Sequence, residues 1–540
     1  MGEMQEAIAG PSAQTLRLKE WSGGAQTDAT SWPNVADHLL QHGLGDDPAV
    51  IDRGRTHTFD HLREAVARLA AELAARQVPA GSRVGILGPS SFFWVAAYLA
   101  GMQGHVVVPL SDKGDEDSLR AQAERIDCRA VFLDRRFARR FAGAIPETAA
   151  VITDACLEPG GVSYDEQSPP VPERTDDPHA DALLLFTSGT TAAAKVVRLT
   201  HRNIVANTES IVDFLELGPR DRMLVVLPFF YCFGLSLLNT HLRVGGSLSL
   251  APSFVFPEVV LDQMEREACT GFAGVPSTYQ MLLRASTFSS RELPALRLLQ
   301  QAGGKLSPTL VEELVRVRPQ SRLFVMYGQT EATARLSYLP PDAVLDKPGS
   351  VGRGIPGVQL RVLDEDGQDV APGRVGEIYA RGANISPGYL DDDPASASKF
   401  PHGLLRTGDL ATVDEDGTIS IVDRVDDFIK SWGHRISSQE IEACVLQMPE
   451  LVAAAAVGVL DPEAGEAVSV VIAARPGSSV SADDVLTFTR TRLPRHMIPR
   501  SVSVVDALPL NANGKVDKRR VRELCAVSAH PAEPVESLTE

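Results

Sequence analysis

Residues 183–200 read LLLFTSGTTAAAKVVRLT, an apolar run that ends in Thr187, Ser188, Gly189, Thr190 and Thr191, with Lys195 four residues further on. Small and hydroxylated residues at the end of a strand let backbone N–H groups approach an anion, and the hydroxyls add donors. Lys195 supplies a point charge for the outer phosphates of a nucleotide. The spacing G-x-x-x-x-G-K-[ST] is absent, which excludes a P-loop NTPase. The ordinary alternative is a Ser/Thr-rich turn between two strands, and the composition of the loop alone does not decide between the two.

Other apolar runs also end in chemistry-bearing residues. Residues 323–326 form an apolar strand that delivers Tyr327 and Gly328 into a loop. A planar ring followed by glycine suits a purine, because the ring stacks while bare backbone approaches the base edge. Glu331 offers the hard oxygen that Mg²⁺ prefers, with nucleotide phosphates completing the shell; a lone surface glutamate is ordinarily only solvated. Asp409 lies in a glycine-flanked turn, where a carboxylate either accepts two hydrogen bonds from ribose hydroxyls or shapes its own turn. Asn511, Asn513 and Gly514 form a turn that presents Lys515, although an ordinary surface lysine is the plainer reading of a run that includes Lys518, Arg519 and Arg520. Phe229, Phe230, Tyr231 and Phe233 suggest an aromatic-lined pocket, or else a buried aromatic strand.

The elements that must position these residues follow from length and pattern. A chain of 540 residues corresponds to three or four folding units at roughly 150 residues each. Lys and Arg total 52 against 70 Asp and Glu, a net charge of −18, which repels phosphate backbones and excludes nucleic acid as the main partner. The balance of 44% hydrophobic and 23% charged residues excludes disorder over the whole length. None of the six cysteines forms a C-x-x-C pair, so neither a disulfide framework nor a zinc site is expected. No run approaches the roughly 18 apolar residues of a membrane span, and the N-terminus lacks the pattern of a secretory signal. The expectation is a cytoplasmic protein with no membrane partner; oligomeric state leaves no signal.

From 34 to about 131, helical patterns such as 61–73 alternate with apolar runs at 84–87 and 106–110. Such alternation predicts an α/β architecture with largely parallel strands. Residues 157–181 are rich in proline and acid and are expected to be loop. A second α/β stretch runs from 183 to about 339, and 349–389 is dense in glycine and β-branched residues, as in a strand-rich module. Beyond a break at 423–427, a compact α/β segment spans 429 to about 525. Residues 1–33 are expected to wrap loosely, and 528–540 to form a frayed tail.

Taken in order from 34 to 522, these motifs resemble the adenylate-forming superfamily of acyl-CoA synthetases, peptide-synthetase adenylation domains and luciferases. The family loop reads T-S-G-T-T-G-x-P-K-G. Here Ala192, Ala194 and Val196 replace Gly, Pro and Gly, so the loop is expected to be stiffer at 192 and 196. LPFFYCFGL at 227–235 resembles the segment near the acid pocket, with Tyr231 where many members carry histidine. The resemblance implies an acid pocket of Phe230, Tyr231, Gly234 and Gln301. It implies ATP or AMP contacts from Thr187–Thr191, Lys195, Gly303, Gly304, Tyr327, Gly328, Gln329, Thr330, Asp409 and Arg424, with Mg²⁺ on Glu331. Lys515 matches the catalytic lysine that bridges the acid carboxylate and the α-phosphate. Asp426 matches the hinge, next to Asp423 where glycine is usual. Gly433 matches the channel for a pantetheine thiol, beside a bulky Trp432 that either lines the channel or packs on the small domain.

The implied fold has two doubly wound α/β subdomains plus a β-rich one over 34–423, a hinge at 424–427 and a small mobile α/β domain over 428–527. The implied activity is that of an ATP- and Mg²⁺-dependent, AMP-forming ligase. It would activate an acyl or aryl carboxylic acid as an adenylate and transfer it to CoA or a carrier-protein thiol. Rival readings keep adenylation but change the acceptor, as in an amine ligase, or activate nitrite for diazotisation of aromatic amines. A non-catalytic nucleotide-binding homologue is a third possibility. The acid itself is not legible in the sequence.

Overall fold

The pattern expected over 34–131 resolves, in a computed structural model, into helices laid against parallel strands. The structure describes Trp21 and residues 33–113, 116–187, 195–251, 253–424, 427–432, 434–461, 464–475, 477–511 and 515–528. Ser188, Gly189, Thr190, Thr191, Ala192, Ala194, Asp426, Gly433, Asn513 and Gly514 lie outside the described residues. The helix Phe59–Ala75 begins at Thr58, whose Oγ1 accepts from the His61 N–H while the His61 ring accepts from the Thr58 N–H. This reciprocal cap satisfies two otherwise orphaned donors. Leu62, Val66, Leu69 and Leu73, one helical face, are buried.

Arg83–Leu87, Val106–Leu110 and Ala130–Leu133 pair in parallel near the middle of a seven-stranded sheet. Their near-continuous apolar character reflects burial on both faces. One hairpin in this stretch leaves the sheet. Pro48–Asp52 and Arg55–Thr58 are joined at Arg53 and Gly54, with φ of +52° and +76°, the left-handed pair that a tight hairpin requires. This hairpin instead forms one edge of a thirteen-stranded sheet, with Val50 opposite Leu248.

The thirteen-stranded sheet has a parallel part built from Ser247–Leu250, Arg222–Val225, Gly271–Gly274, Leu298–Gln301 and Arg322–Tyr327. After Tyr327 the chain reverses, and Ser337–Leu339 and Ser350–Gly354 continue the sheet antiparallel. The strand-rich module expected over 349–389 is therefore hydrogen-bonded edge to edge onto the α/β sheet. Trp21 packs on that module beside Leu363, Tyr379 and Leu404, so this point of the N-terminal segment is anchored where loose wrapping was expected.

A third, five-stranded sheet lies within residues 429–505. The alanine-rich run at 451–460 is a strand, Leu451–Asp461. Its small side chains alternate between two cores, Ala454 and Ala456 facing Ile441 and Val485, Ala455 and Val457 facing Val521 and Cys525. A period of two on a strand covered on both faces explains why the run is apolar throughout. Among the described residues no helix is long and apolar enough to cross a membrane.

Candidate active site

Three clusters of side chains meet near the carboxyl ends of the parallel strands, the usual ligand position in an open α/β sheet. Tyr327 is the last residue of Arg322–Tyr327. Its hydroxyl donates to Asp409 Oδ2 at 2.5 Å, and Arg424 Nε donates to Asp409 Oδ1 at 3.0 Å. Asp409 and Arg424 are register partners on adjacent antiparallel strands, which fixes the pair. Asp409 thus belongs to the strand Leu405–Val413 and not to a glycine-flanked turn; Gly408, with φ +78°, supplies the local irregularity. Burial, and the Asp409 charge after it, push the Tyr327 phenol well above its ordinary range. Each carboxylate oxygen of Asp409 retains a second lone pair for a further donor. Gly328 has an internal reason to be glycine: a Cβ there would lie 2.0 Å from the Ala334 carbonyl oxygen.

The second cluster joins Glu331, Tyr389, Lys195 and Lys399. The Tyr389 hydroxyl donates to Glu331 Oε1 at 2.8 Å, and Lys195 Nζ lies 4.8 Å from the Tyr389 ring centroid. The Thr187 N–H donates to the Lys195 carbonyl at 2.9 Å, pinning together the two ends of the hydroxyl-rich loop. Lys399 donates to the Thr407 carbonyl at 2.8 Å. Burial lowers its pKa, opposed by the carboxylates of Glu331 and Asp409. Among the described residues no group of three or more His, Cys, Asp or Glu could hold a metal ion. A single carboxylate suits Mg²⁺, which takes its remaining oxygens from phosphates and water.

Sequence reasoning missed Tyr389 and Lys399. Tyr389 ends a short strand that pairs antiparallel with Val197, in the strand that directly follows Lys195. Its local sequence, PGYL at 387–390, is the one signal for it, and nothing near Lys399 marks that residue.

The third cluster is aromatic. The run 227–235 is not a strand: Tyr231 is the N-cap of the helix Cys232–Arg243. Phe229 and Phe233 are core residues, and Phe230 is partly buried. Gly234 is required by the tight entry to that helix, since a Cβ would sit 2.2 Å from the Pro228 carbonyl oxygen. Lys515 arrives from the third sheet's domain on a turn closed by Asn511, whose N–H donates to the Lys515 carbonyl at 2.7 Å and whose Oδ1 accepts from the Lys515 N–H at 3.1 Å. Lys515 Nζ lies 5.5 Å from the Tyr231 ring centroid. Gly303, at φ +87°, makes room for both: a Cβ would come 3.2 Å from Tyr231 Oη and 3.3 Å from Lys515 Cε. Gln301 donates to the Gly304 carbonyl at 2.7 Å, Gln329 reaches the Thr407 carbonyl at 3.5 Å, and the Thr330 hydroxyl reaches Cys232 Sγ at 3.6 Å.

At the junction of the two regions Asp423 is fully buried. Its Oδ2 accepts from the Ser437 hydroxyl at 2.9 Å and the Ser438 N–H at 2.8 Å, at the start of the helix Ser438–Val445. Asp423, standing where glycine is usual, is thus committed to hydrogen bonds and not to solvent. Asp414 and Asp416 are held by Lys347. Trp432 has a positive φ of 52° and is 60% exposed, so most of its surface faces solvent.

Residues 40–390 match the family described as AMP-binding enzyme, and residues 440–515 match the AMP-binding enzyme C-terminal domain. The chain is 33% identical over 506 residues to a feruloyl-CoA synthase of Amycolatopsis sp, covering 91% of this chain and 98% of that one. It is 32% identical over 482 residues to an indoleacetate–CoA ligase of Aromatoleum aromaticum, covering 87% and 94%. Among solved structures, ATP-bound MatB from Rhodopseudomonas palustris superposes with a TM-score of 0.81 at 28% identity, covering 91% of this chain and 98% of that one.

Proposed function

The chain belongs to the AMP-binding enzyme family, and from that premise we propose that it is an ATP-dependent, AMP-forming ligase that activates a small carboxylic acid and passes the acyl group to the thiol of coenzyme A. The observation that carries this reading is the meeting of Lys515 with Tyr231 and Gly303 across two domains, in a site that also holds the Glu331–Tyr389 and Asp409–Arg424 pairs. The relatives' names, a feruloyl-CoA synthase and an indoleacetate–CoA ligase, support an acid as substrate and CoA as acceptor.

In this reading Tyr327 and Gly328 border the adenine, and Asp409, oriented by Arg424, accepts the ribose hydroxyls. Lys195 and the hydroxyls of Thr187, Ser188, Thr190 and Thr191 hold the outer phosphates around Gly189. Gly304, Gln329 and Thr330 complete the nucleotide wall, and Phe230, Tyr231, Gly234 and Gln301 border the acid. A carboxylate oxygen of the acid attacks the α-phosphorus, a new oxygen–phosphorus bond forms, and pyrophosphate leaves. Lys515 offsets the negative charge that grows on the α-phosphate oxygens, a preorganised contribution that costs no solvent reorganisation. Mg²⁺ bound at Glu331 would neutralise phosphate charge. Thiol attack on the acyl carbon then expels AMP, with a hinge at 424–427 that includes Asp426 and a thiol passage at Gly433.

Two rates on a panel of acids test the proposal: ATP–pyrophosphate exchange and appearance of the CoA thioester by mass spectrometry. Both are expected for the same acid. Exchange without thioester would remove CoA as acceptor and leave a carrier-protein thiol as the next to try; absence of exchange across the panel would remove the ligase reading.

A further inference from the structure

Arg335 is among the largest fully buried side chains of the molecule, with 2% of its surface exposed. It lies four residues beyond Glu331, in the segment that joins the 3₁₀ turn Thr330–Ala332 to the strand Ser337–Leu339. Its backbone is locked: its N–H donates to Asn207 Oδ1 at 3.2 Å and its carbonyl accepts from Asn207 and Asn384. The guanidinium stacks 4.0 Å above the Phe233 ring centroid. Its hydrogen bonds are weak ones, to Met326 Sδ at 3.4 Å and to the Ala334 carbonyl at 3.5 Å. Among the described residues it forms no ion pair, whereas the other buried arginine, Arg318, donates to the Phe288 and Arg291 carbonyls.

A buried cation without a counterion is costly, because desolvation is not repaid by an opposite charge. Burial draws Arg335 down to about 10, which leaves it cationic at neutral pH. The groups that act on it electrostatically are Cys232 and Tyr231, both at the start of the helix that borders the aromatic cluster. Tyr231 in turn feels both Lys515 and Arg335. Tyr231 and Phe233 lie two residues apart at the start of that helix, with Lys515 Nζ 5.5 Å from the first ring centroid and the Arg335 guanidinium 4.0 Å from the second.

We propose that Arg335 is a specificity-determining residue that binds a second anionic group on the acid, so that the substrate class is a dicarboxylic acid or an acid with an equivalent distal anion. The inference rests on the ligase reading for the identity of the site, not for the arginine's lack of a counterion. With one carboxylate at Lys515 and the other at Arg335, both cations are neutralised, and the planar guanidinium accepts the distal carboxylate through paired hydrogen bonds. A neutral substrate tail would leave Arg335 uncompensated, which gives discrimination by an unpaired buried charge.

The test uses matched acids that differ only in the distal group, hexanoate against adipate and 3-phenylpropanoate against 3-(4-carboxyphenyl)propanoate. Calorimetry measures their binding to the full-length protein saturated with a non-hydrolysable ATP analogue, and pyrophosphate exchange gives kcat/KM. The wild type is expected to favour at least one dianion over its partner by about 10²-fold, and R335M to abolish that ratio. R335K, which keeps a charge without the planar fork, is expected to retain part of it. Melting temperature and ATP affinity report whether each variant folds. A wild-type ratio near one in both pairs overturns the proposal even if R335M is unstable, and so does a ratio that R335M leaves intact. Loss of exchange with the binding preference retained would sink the ligase reading while leaving Arg335 in its assigned place.

Discussion

In the large domain the site residues hold one another. Asp409 is gripped by Tyr327 and Arg424, Glu331 by Tyr389, and the ends of the hydroxyl-rich loop are tied by the Thr187–Lys195 hydrogen bond. The small domain contributes Lys515, whose backbone is fixed by Asn511, whose ammonium lies over the Tyr231 ring and whose Cε lies beside Gly303. One side of the site is preorganised by its own hydrogen bonds; the other exists only when the domains are docked. In the proposed reading the first side binds the nucleotide and the second stabilises charge in the reaction, since an interaction made mainly in the transition state raises kcat and not affinity.

The sharpest break of this division is Lys515→Ala. Pyrophosphate exchange should fall by about 10²–10³ in kcat, the loss expected for one charge-stabilising donor, while the ATP dissociation constant from calorimetry stays near the wild-type value. Exchange at the wild-type rate would take Lys515 out of the chemistry. On the preorganised side, Asp409→Ala removes a buried acceptor and leaves Tyr327 and Arg424 without their common partner. ATP affinity should weaken by about 10–10²-fold, in line with loss of charged hydrogen bonds, and the melting temperature should drop. Unchanged ATP affinity would show that the Asp409 cluster serves the sheet alone.

A smaller effect is expected for Glu331→Gln, which keeps the shape of the side chain and can still accept from Tyr389. Activity should fall about tenfold and the Mg²⁺ concentration for half-maximal rate should rise; an unshifted Mg²⁺ titration at fixed ATP would separate Glu331 from the metal.

The two domains should also differ in pH response. His201 and His241, buried in the large domain, are held down to about 4 by desolvation. The unfolded chain, near 6.5, binds protons that the folded one does not, so their contribution is present above pH 6.5 and lost as pH falls through 4. Glu442 in the small domain is pushed up to about 7 by burial, against the opposing charge of Lys518. Here the folded state holds the extra proton, so stability declines as pH rises from about 4.5 through 7. Hydrogen exchange resolved by mass spectrometry should show the large domain loosening first in acid. Glu442→Gln should stabilise the small domain by about 1–3 kcal/mol at pH 8 and by nothing measurable at pH 4.5. A gain that is independent of pH would mean that the glutamate is not charged at a cost.

The sequence by itself determined the α/β alternation, the parallel runs at 84–87 and 106–110, the strand that ends at Tyr327, and the order of the motifs that place the chain among the adenylate-forming enzymes. These are local properties: apolar period, breaker residues and short runs of chemistry-bearing side chains are written in neighbouring positions. What only the tertiary structure decided depends on residues far apart in the chain. Asp409 became a strand residue because its register partner is Arg424. Asp423 became a buried cap because Ser437 and Ser438 come to it. Tyr389 reached Glu331 through a pairing with Val197, nearly two hundred residues earlier. Arg335 stood in plain view four residues beyond Glu331, yet an arginine carries no sign of its own burial. Its meaning came from the absence of a carboxylate around it among the described residues, and a counterion's absence is a property of three-dimensional packing that no local pattern can encode.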